Sequence, residues 1–382
     1  MGYVTCLFTS NSTQLNQRSE YPDVHMMIYC NLNNTERIKE KISSLKQLPL
    51  TICAIVSFVD PWCSLAAQLS AEYGLSSFSA AGMKLMENKL KTRDTLINTI
   101  HNPKYYAVSA RNQRWPYHQA KKKMPAVVKY VWSNGSRDVF YCPDKKSIAK
   151  NFDRLVKAYP NGTILIEEYL KGPQYIVEVL AYNNEVHIVA VIEQEINIIN
   201  DHFIITGYHL ITDPDTDFTE NLLLNVKTIL SKFEYKTGPC HLEMRNVKGV
   251  WKLVEANPRI SGAGMNQLIN IGLGINLVRE TLKLALGGEP DIDPKHRTPT
   301  FGEYVIVQET GVLHKITGRQ AVMSDPNVRY VYVKPRRGKI ITPPESLGDR
   351  YAYVIATGDT DTEAEQNAKA AAAKINFIYE PL

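Results

Sequence analysis

Residues 238–264 read GPCHLEMRNVKGVWKLVEANPRISGAG, and this stretch decides how the rest of the chain is read. Two runs of strand-forming residues flank Val247, Lys248 and Gly249. Glycine suits the left-handed position of a three-residue loop there. That loop predicts Asn246 opposite Val250, Glu243 opposite Leu253 and His241 opposite Glu255. Strand side chains alternate faces, so Glu243, Glu255 and Asn257 are expected on one face. The two glutamates then become diagonal neighbours, roughly 7–8 Å apart at the backbone. Two carboxylates and an amide oxygen converging at that spacing repel unless a hard cation sits between them. Mg²⁺ accepts such oxygen ligands and commonly brings phosphates with it. Arg259 adds a planar fork for an anion. The plainer reading is a solvated hairpin with ordinary surface acids.

The whole chain bounds these alternatives. At 382 residues it is long enough for two or three domains. A hydrophobic content of 44% with 22% charged residues suits a globular protein. There is no apolar run of the roughly 18 residues that a membrane helix needs. The N-terminus lacks a basic segment followed by a long apolar one, so no secretory signal is expected. The six cysteines form no CxxC pair, which suits reduced thiols in a cytoplasmic protein and argues against zinc. A net charge of +5 is mild for this length. The dense basic run Lys121-Lys122-Lys123 is explained more simply by a solvated loop than by nucleic acid.

From the N-terminus to about residue 80, strand and helix signals alternate. The run 50–59, LTICAIVSFV, predicts a strand buried on both faces. Asp60-Pro61 then opens a helix that stops at Gly74. This rhythm predicts a small parallel sheet with helices packed on it. A polar helix is expected over 83–98, with Lys89 and Arg93 on one face. Alone, that is a solvent-exposed basic face. Residues 125–132, PAVVKYVW, predict a strand in which Lys129 shares a face with Val127 and Val131. A lysine there must snorkel or meet an anion. Ser133, Asn134, Gly135 and Ser136 follow as a polar turn. Its N–H groups suit phosphates, and it reads equally as a plain hairpin turn. Further on, a helix is expected over 145–159, strands over 163–168, 175–181 and 186–194, an Ile- and Asp-rich loop, and helices over 220–233 and 273–286. Beyond about residue 300, short strands and a final alanine-rich helix over 362–375 read as a small α+β cap.

In this order the segments resemble the ATP-grasp superfamily of carboxylate–amine or carboxylate–thiol ligases. Three blocks carry the resemblance: Lys89 with Lys129 in PAVVKYVW, EEYLKGPQY over 167–175, and HLEMR with VEANPR over 241–259. The sequence EANPR followed by SGAG, with YVIATGDTDTEAEQNA near the end, is most similar to the L-amino acid ligase branch. The resemblance implies an α/β, multidomain (α+β) ATP-grasp fold. Its parts are a Rossmann-like N-terminal domain over 1–85, connecting helices over 86–120, a lid subdomain over 121–195, a metal-binding catalytic subdomain over 196–300 and a C-terminal cap over 301–382.

The resemblance also implies ATP and Mg²⁺, with Mn²⁺ as the alternative metal, and it assigns roles. Glu243, Glu255 and Asn257 hold the metal. Lys89, Lys129 and the turn Ser133, Asn134, Gly135 and Ser136 hold the nucleotide's phosphates. Glu167, Glu168, Tyr169 and Leu170 frame adenine, with Glu168 and Leu170 offering backbone groups. Gln174 stands at the ribose, where the family often has Glu, so nucleotide orientation is in question. Arg259 holds the carboxylate, then the acyl phosphate. Tyr208 and His209, on a loop, and Ser261 and Gly262 are substrate-side candidates. His241 either lines the substrate site or is a hydrogen-bonded strand histidine, and Arg245 is expected to pair with a local acid. Trp132 and Trp251 are read as packing residues. The short SNGS loop with one glycine departs from biotin carboxylases.

The reaction implied is ATP-dependent activation of an amino acid carboxylate as an acyl phosphate and its capture by an amine, as in dipeptide or secondary-metabolite biosynthesis. Loading an amino acid onto a carrier-protein thiol is the alternative, and a nucleotide-binding scaffold without turnover is a third. Partners expected are ATP, small carboxylate and amine substrates, possible carrier protein and a homodimer, with no nucleic acid and no membrane.

Overall fold

The protein is described by a computed structural model over residues 2–112, 124–199, 201–334 and 337–380. The basic run Lys121-Lys122-Lys123 lies outside these residues. The strands in chain order are β1 (Cys6–Thr9), β2 (Met26–Tyr29), β3 (Tyr105–Ser109), β4 (Ala126–Tyr130), β5 (Val139–Cys142) and β6 (Thr163–Glu168). They continue as β7 (Gln174–Tyr182), β8 (Glu185–Ile199), β9 (His202–Ile211), β10 (Gly238–Val247), β11 (Val250–Asn257) and β12 (Thr300–Val305). The last are β13 (Gly311–Thr317), β14 (Val328–Val333), β15 (Ile340–Ile341), β16 (Ala352–Thr357) and β17 (Asn376–Glu380). One large antiparallel sheet runs β11-β10-β7-β8-β9-β5-β4-β6-β3, and β12, β16 and β14 extend it from β9. The region after residue 300 is therefore joined to the sheet rather than hung beside it. A separate three-stranded sheet, β15-β13-β17, closes the C-terminal end.

Alternation along β7 shows how the sheet is buried on both sides. Val177, Val179 and Ala181 pack under the Thr216–Lys232 and Ala80–Met86 helices. Ile176 and Leu180 pack on the opposite side against residues of the Met265–Leu273 helix. A strand covered on both faces needs apolar residues at nearly every position, and between Tyr175 and Tyr182 only Glu178 departs from that. The lid has its own core. There the Lys145–Ala158 helix, started by an Asp144–Ser147 capping box, inserts Ile148, Phe152 and Leu155 against β4, β5 and β6.

Several expectations are corrected. The run 50–59 forms no strand, and among the described residues the N-terminal sheet holds only the parallel pair β1 and β2. Ile52 and Ile55 instead pack on the Cys30, Ile38, Ile42 and Leu69 cluster, so this apolar run serves as an extended core segment. The helix after Asp60-Pro61 begins at Cys63. The helix expected over 83–98 is two helices, Ala80–Met86 and Lys89–Thr95, because the Asn88 side chain caps a new start by accepting from the Lys91 N–H. The expected Ile-rich loop is the end of β8 and all of β9, so Tyr208 and His209 are strand residues. The helix expected over 273–286 starts only at Leu277, after a separate Met265–Leu273 helix and a left-handed Gly274.

The hairpin also differs from its expected register. Lys248 and Gly249 both adopt positive φ, 52° and 85°, and make a two-residue turn between Val247 and Val250. Farther from the turn the ladder shifts by one residue between Glu243 and Met244, where Val254 is the extra residue. As a result Glu243 stands directly opposite Glu255, and His241 opposite Asn257. The bulge brings the two acids closer into register than the three-residue loop predicts.

Candidate active site

A cleft of about 350 Å³ lies where the lid, the hairpin and the C-terminal region meet. Lys89, Lys129, Ser133, Asn134, Gly135 and Ser136 line one wall. Glu243, Glu255, Asn257 and Arg259 line its floor. Glu168, Tyr169, Leu170 and Gln174 stand at its apolar end, where Tyr169 packs against Phe203 at 6.1 Å and Tyr141 at 5.0 Å between ring centroids. His241, Ser261, Gly262 and Tyr208 line the opposite part. Residues spread over 174 positions of sequence thus converge on one cavity.

Two expected site residues do not face it. Glu167 points to the other side of β6, as alternation dictates for the neighbour of Glu168. It is buried and binds Arg93 through Nε at 2.6 Å and Nη2 at 3.1 Å, and Lys129 at 2.7 Å. Glu167 is thus the counter-ion of the cleft lysine, not a nucleotide contact. Burial alone raises a carboxyl, but Arg93 and Lys129 together hold Glu167 down to about 2. Burial, and then the Arg93 charge, lower Lys129 to about 8 against the pull of Glu167. His209 turns away too, with Nε2 3.2 Å from Asp361 of the C-terminal helix.

The acids at the floor are placed for a cation. Glu243 is pushed up, first by burial and then by Glu255 across the ladder. Burial pushes Glu255 the same way, but Lys89, at 3.0 Å, and Lys129 hold it below the ordinary range. Two facing carboxylates with the Asn257 amide beside them make the all-oxygen donor set that Mg²⁺ takes. Lys89 also donates to the Ser133 carbonyl, which ties the start of the SNGS turn to the hairpin.

Other contacts revise the sequence reading. Arg245 pairs with no acid among the described residues. It donates through Nε to Gln174 Oε1 at 2.8 Å and through Nη1 to the Leu170 carbonyl at 2.5 Å, with Tyr169 5.0 Å away. Gln174 Nε2 in turn donates to Gln194 Oε1 at 2.7 Å and Glu243 Oε2 at 3.2 Å. The amide therefore links the apolar end of the cleft to the floor. The Leu170 carbonyl already carries a charged hydrogen bond. His241 is buried and donates through Nδ1 to the Arg259 carbonyl at 2.9 Å, the only role open to a nitrogen facing a C=O. Burial and then Arg259 lower it to about 4, so it is neutral. Trp251 packs in the core as expected, whereas Trp132 is 49% exposed.

Four residues with a place in the site were not singled out for it in the sequence. Asp60 binds Arg259 Nε at 2.6 Å. Arg93 anchors Glu167, and its only cue was the four-residue spacing from Lys89. Glu178, wholly buried, accepts from both the N–H and the hydroxyl of Ser261, and burial raises it to about 7. Arg350 reaches the cleft from the C-terminal region. Nothing in the local sequence of Asp60, Glu178 or Arg350 marks a site, because each acts through a partner distant in sequence.

Family models match this chain twice: an ATP-grasp domain over residues 122–267, and L-amino acid ligase C-terminal domain 2 over 303–380. The crystal structure of an L-amino acid ligase from Bacillus licheniformis superposes with a TM-score of 0.79 at 22% identity, covering 94% of this chain and 89% of that one. Phosphoribosylglycinamide synthetase from Anaerococcus prevotii gives 0.72 at 15% identity, with 99% and 94% covered. Among curated proteins, the uncharacterised y4rH of Sinorhizobium fredii is 25% identical over 262 residues, 68% of this chain and 54% of its own length. Pyruvate carboxylase of Aspergillus niger is 20% identical over 167 residues, 43% of this chain and 14% of the enzyme. The chain thus spans about half of the first relative and a small part of the second. Residues 122–267 thus match an ATP-grasp domain. The fold and the C-terminal domain are L-amino acid ligase-like.

Proposed function

We propose that the protein is an ATP-dependent ligase that activates an amino acid carboxylate and couples it to the amine of a second amino acid. The observation that carries this reading is the meeting of Lys89 and Lys129 with Glu243, Glu255, Asn257 and Arg259 in one cleft. A carboxylate is a poor electrophile, and phosphorylation gives it a leaving group. In this reading a carboxylate oxygen attacks the γ-phosphorus of ATP, and the bond to ADP breaks as the new P–O bond forms. The amine then adds to the carbonyl carbon, the C–O bond to phosphate breaks, and the amine proton passes to solvent.

Lys89 and Lys129 hold the triphosphate, with the Ser133–Ser136 turn over it. The apolar end near Tyr169, Leu170 and Phe203 takes the adenine. Glu243, Glu255 and Asn257 would hold Mg²⁺, which neutralises phosphate charge. Arg259 holds the reacting carboxylate, and the Ser261–Gly262 segment, pinned by Glu178, borders it. The protein thereby acts mainly by positioning and by opposing the charge that develops during transfer.

Phosphate release with Mg-ATP and the proteinogenic L-amino acids, singly and in pairs, tests this reading. Release that depends on amino acid, with a dipeptide mass in the product, supports it. A product found only on a phosphopantetheine carrier protein, or no release under any condition, overturns it.

A further inference from the structure

Glu178 is a buried carboxylate that the ligase steps above do not use. It sits in the middle of β7, wholly buried, between Ile176 and Leu180 on the sheet face that packs against the Met265–Leu273 helix. Burial pushes the carboxyl up to about 7, against the pull of the Ser261 donors and then of Arg259. An apolar side chain would suit that face at lower cost. Glu178 is not among the residues that line the cleft. Its hydrogen bonds show what it does one layer behind the site.

The carboxylate accepts from the Ser261 N–H at 3.1 Å and from the Ser261 hydroxyl. The Ser261 hydroxyl is therefore committed to the sheet rather than to a substrate. His241 stands directly opposite Glu178 on β10. Opposed residues of an antiparallel pair share a face, so the two side chains rise from the sheet together. His241 Nδ1 donates to the Arg259 carbonyl at 2.9 Å. One side chain thus holds the carbonyl before Ile260, and the other holds the N–H after it. Ile260 itself packs in the cluster that contains Ile176 and Leu180. The backbone from Arg259 to Ser261 is fixed on both sides of that residue. Arg259 starts from this backbone, and Asp60 holds its Nε at 2.6 Å. The guanidinium therefore has one anchor at its head, Asp60, and another at its root, the Glu178–His241 pair.

We propose that Glu178 is a positioning residue for Arg259: through Ser261 it fixes the backbone from which the arginine reaches the reacting carboxylate. The inference rests on the ligase reading above. It goes beyond that reading by extending the machinery to a side chain that does not border the cleft.

The test compares Glu178→Met, an unbranched apolar side chain suited to its surroundings, with Glu178→Gln, which keeps an acceptor oxygen for Ser261. ADP release with the amino acids that support turnover gives kcat and KM, and a thermal melt shows that each variant is folded. Glu178→Met is expected to lose on the order of 30-fold in kcat, with KM for ATP within about twofold of wild type. Glu178→Gln should recover most of that loss. A role confined to stability would move the melt and leave the kcat of the folded protein unchanged. Combination with Asp60→Asn reads the link to Arg259. Both changes release the same guanidinium, so the double variant is expected to fall far less than the product of the single losses. Wild-type kcat in folded Glu178→Met overturns the proposal. So does a loss that multiplies independently with that of Asp60→Asn, or a rise in KM for ATP with kcat unchanged. If Glu178→Met does not fold, Ser261→Ala decides, because it removes only the hydroxyl link. Its expected loss is about fivefold in kcat, and an unchanged kcat there overturns the proposal. Wild-type protein that releases no ADP with any amino acid instead overturns the ligase reading, and this proposal with it.

Discussion

Asp60 and Arg259 lie 199 positions apart in the chain, and their side chains meet at 2.6 Å. The acid comes from the N-terminal region and the arginine from just past the end of the β10–β11 hairpin. Arg259 is 22% exposed at the side chain and Asp60 is 11% exposed. The contact holds the Arg259 fork by Nε, Nη1 donates to the Ile260 carbonyl at 3.2 Å, and the side chain lines the cleft. Asp60→Asn keeps the shape but removes the charge that orients the fork. The expected result is a fall in kcat on the order of 10–100-fold with KM for ATP little changed. Steady-state kinetics in ADP release would check it. A proportional rise in KM for ATP would place Arg259 on the nucleotide instead.

Glu167 serves stability as well as the site. It joins Arg93, on a helix before the lid, to Lys129 on β4. Removing its charge leaves two buried cations unmatched, so Glu167→Gln is expected to destabilise the fold by about 3–5 kcal/mol. Urea unfolding of both proteins measures it. The pH dependence follows from the sign of the shift. Glu167 is held near 2, below its ordinary 4.5, so the folded state favours the ionised form. Its stabilisation is complete above 4.5 and is lost as pH falls from there toward about 2. The wild type should therefore lose more stability than Glu167→Gln over that interval.

How far the sequence revealed this molecule depends on the range of the forces involved. Local rules served well where the partner was near. The hairpin, the Lys145–Ala158 helix with its capping box and the β7–β8 pair all follow from side-chain period and turn chemistry. The register of the hairpin did not follow, because the bulge at Val254 shifts it after a turn one residue shorter than expected. The run 50–59 is apolar enough for a buried strand, and only the absence of a ladder partner decides otherwise. In the site, the charged residues of the three motif blocks were legible by type and order. Which face each one takes was harder: Glu167 and Glu168 are adjacent, yet the cleft receives only the second. Arg350 and Asp60 were beyond reach, since their meaning lies in contacts across the fold.

Both cleft lysines act on Glu255, as they do on Glu243. Glu255 faces Glu243, pairs with Lys89 and is 25% exposed at the side chain, toward the cleft. Glu255→Gln keeps the size of the side chain and removes the charge. With the metal at Glu243, Glu255 and Asn257, turnover with Mg-ATP should fall on the order of 1000-fold. The fold should survive, since the change also relieves repulsion on Glu243. A thermal melt beside the activity assay separates the two effects. Wild-type rates at any Mg²⁺ concentration would sink the metal assignment.

Lys129→Ala tests the phosphate wall without undoing the lid. Glu167 keeps its bidentate contact with Arg93 when Lys129 is removed, so no buried carboxylate is left alone. The expected outcome is weaker ATP binding, on the order of 10–100-fold in Kd, with a modest loss of stability. Calorimetry with Mg-bound, non-hydrolysable ATP analogue measures it. An unchanged Kd would remove Lys129 from the nucleotide site.

The C-terminal region also touches the Ser133–Ser136 turn directly. The Leu347 N–H donates to the Gly135 carbonyl at 2.9 Å, and Leu347 and Gly348 border the cleft. Gly135 has φ of 61°, so the turn is set by its own backbone and the bond from Leu347 fixes where it lies. Leu347→Pro removes this one donor at low backbone cost. Leu347 is the first residue of a short 3-10 turn, a position proline tolerates. Ser346 before it is extended, with φ of −150° and ψ of 168°, as the residue preceding a proline prefers. Losing one hydrogen bond of about 1 kcal/mol should raise KM for ATP roughly fivefold, with kcat lowered to a similar or smaller degree. A Leu347→Ala control keeps the N–H and should leave KM near wild type. If both variants behave alike, the Leu347 side chain, and not the hydrogen bond, places the turn.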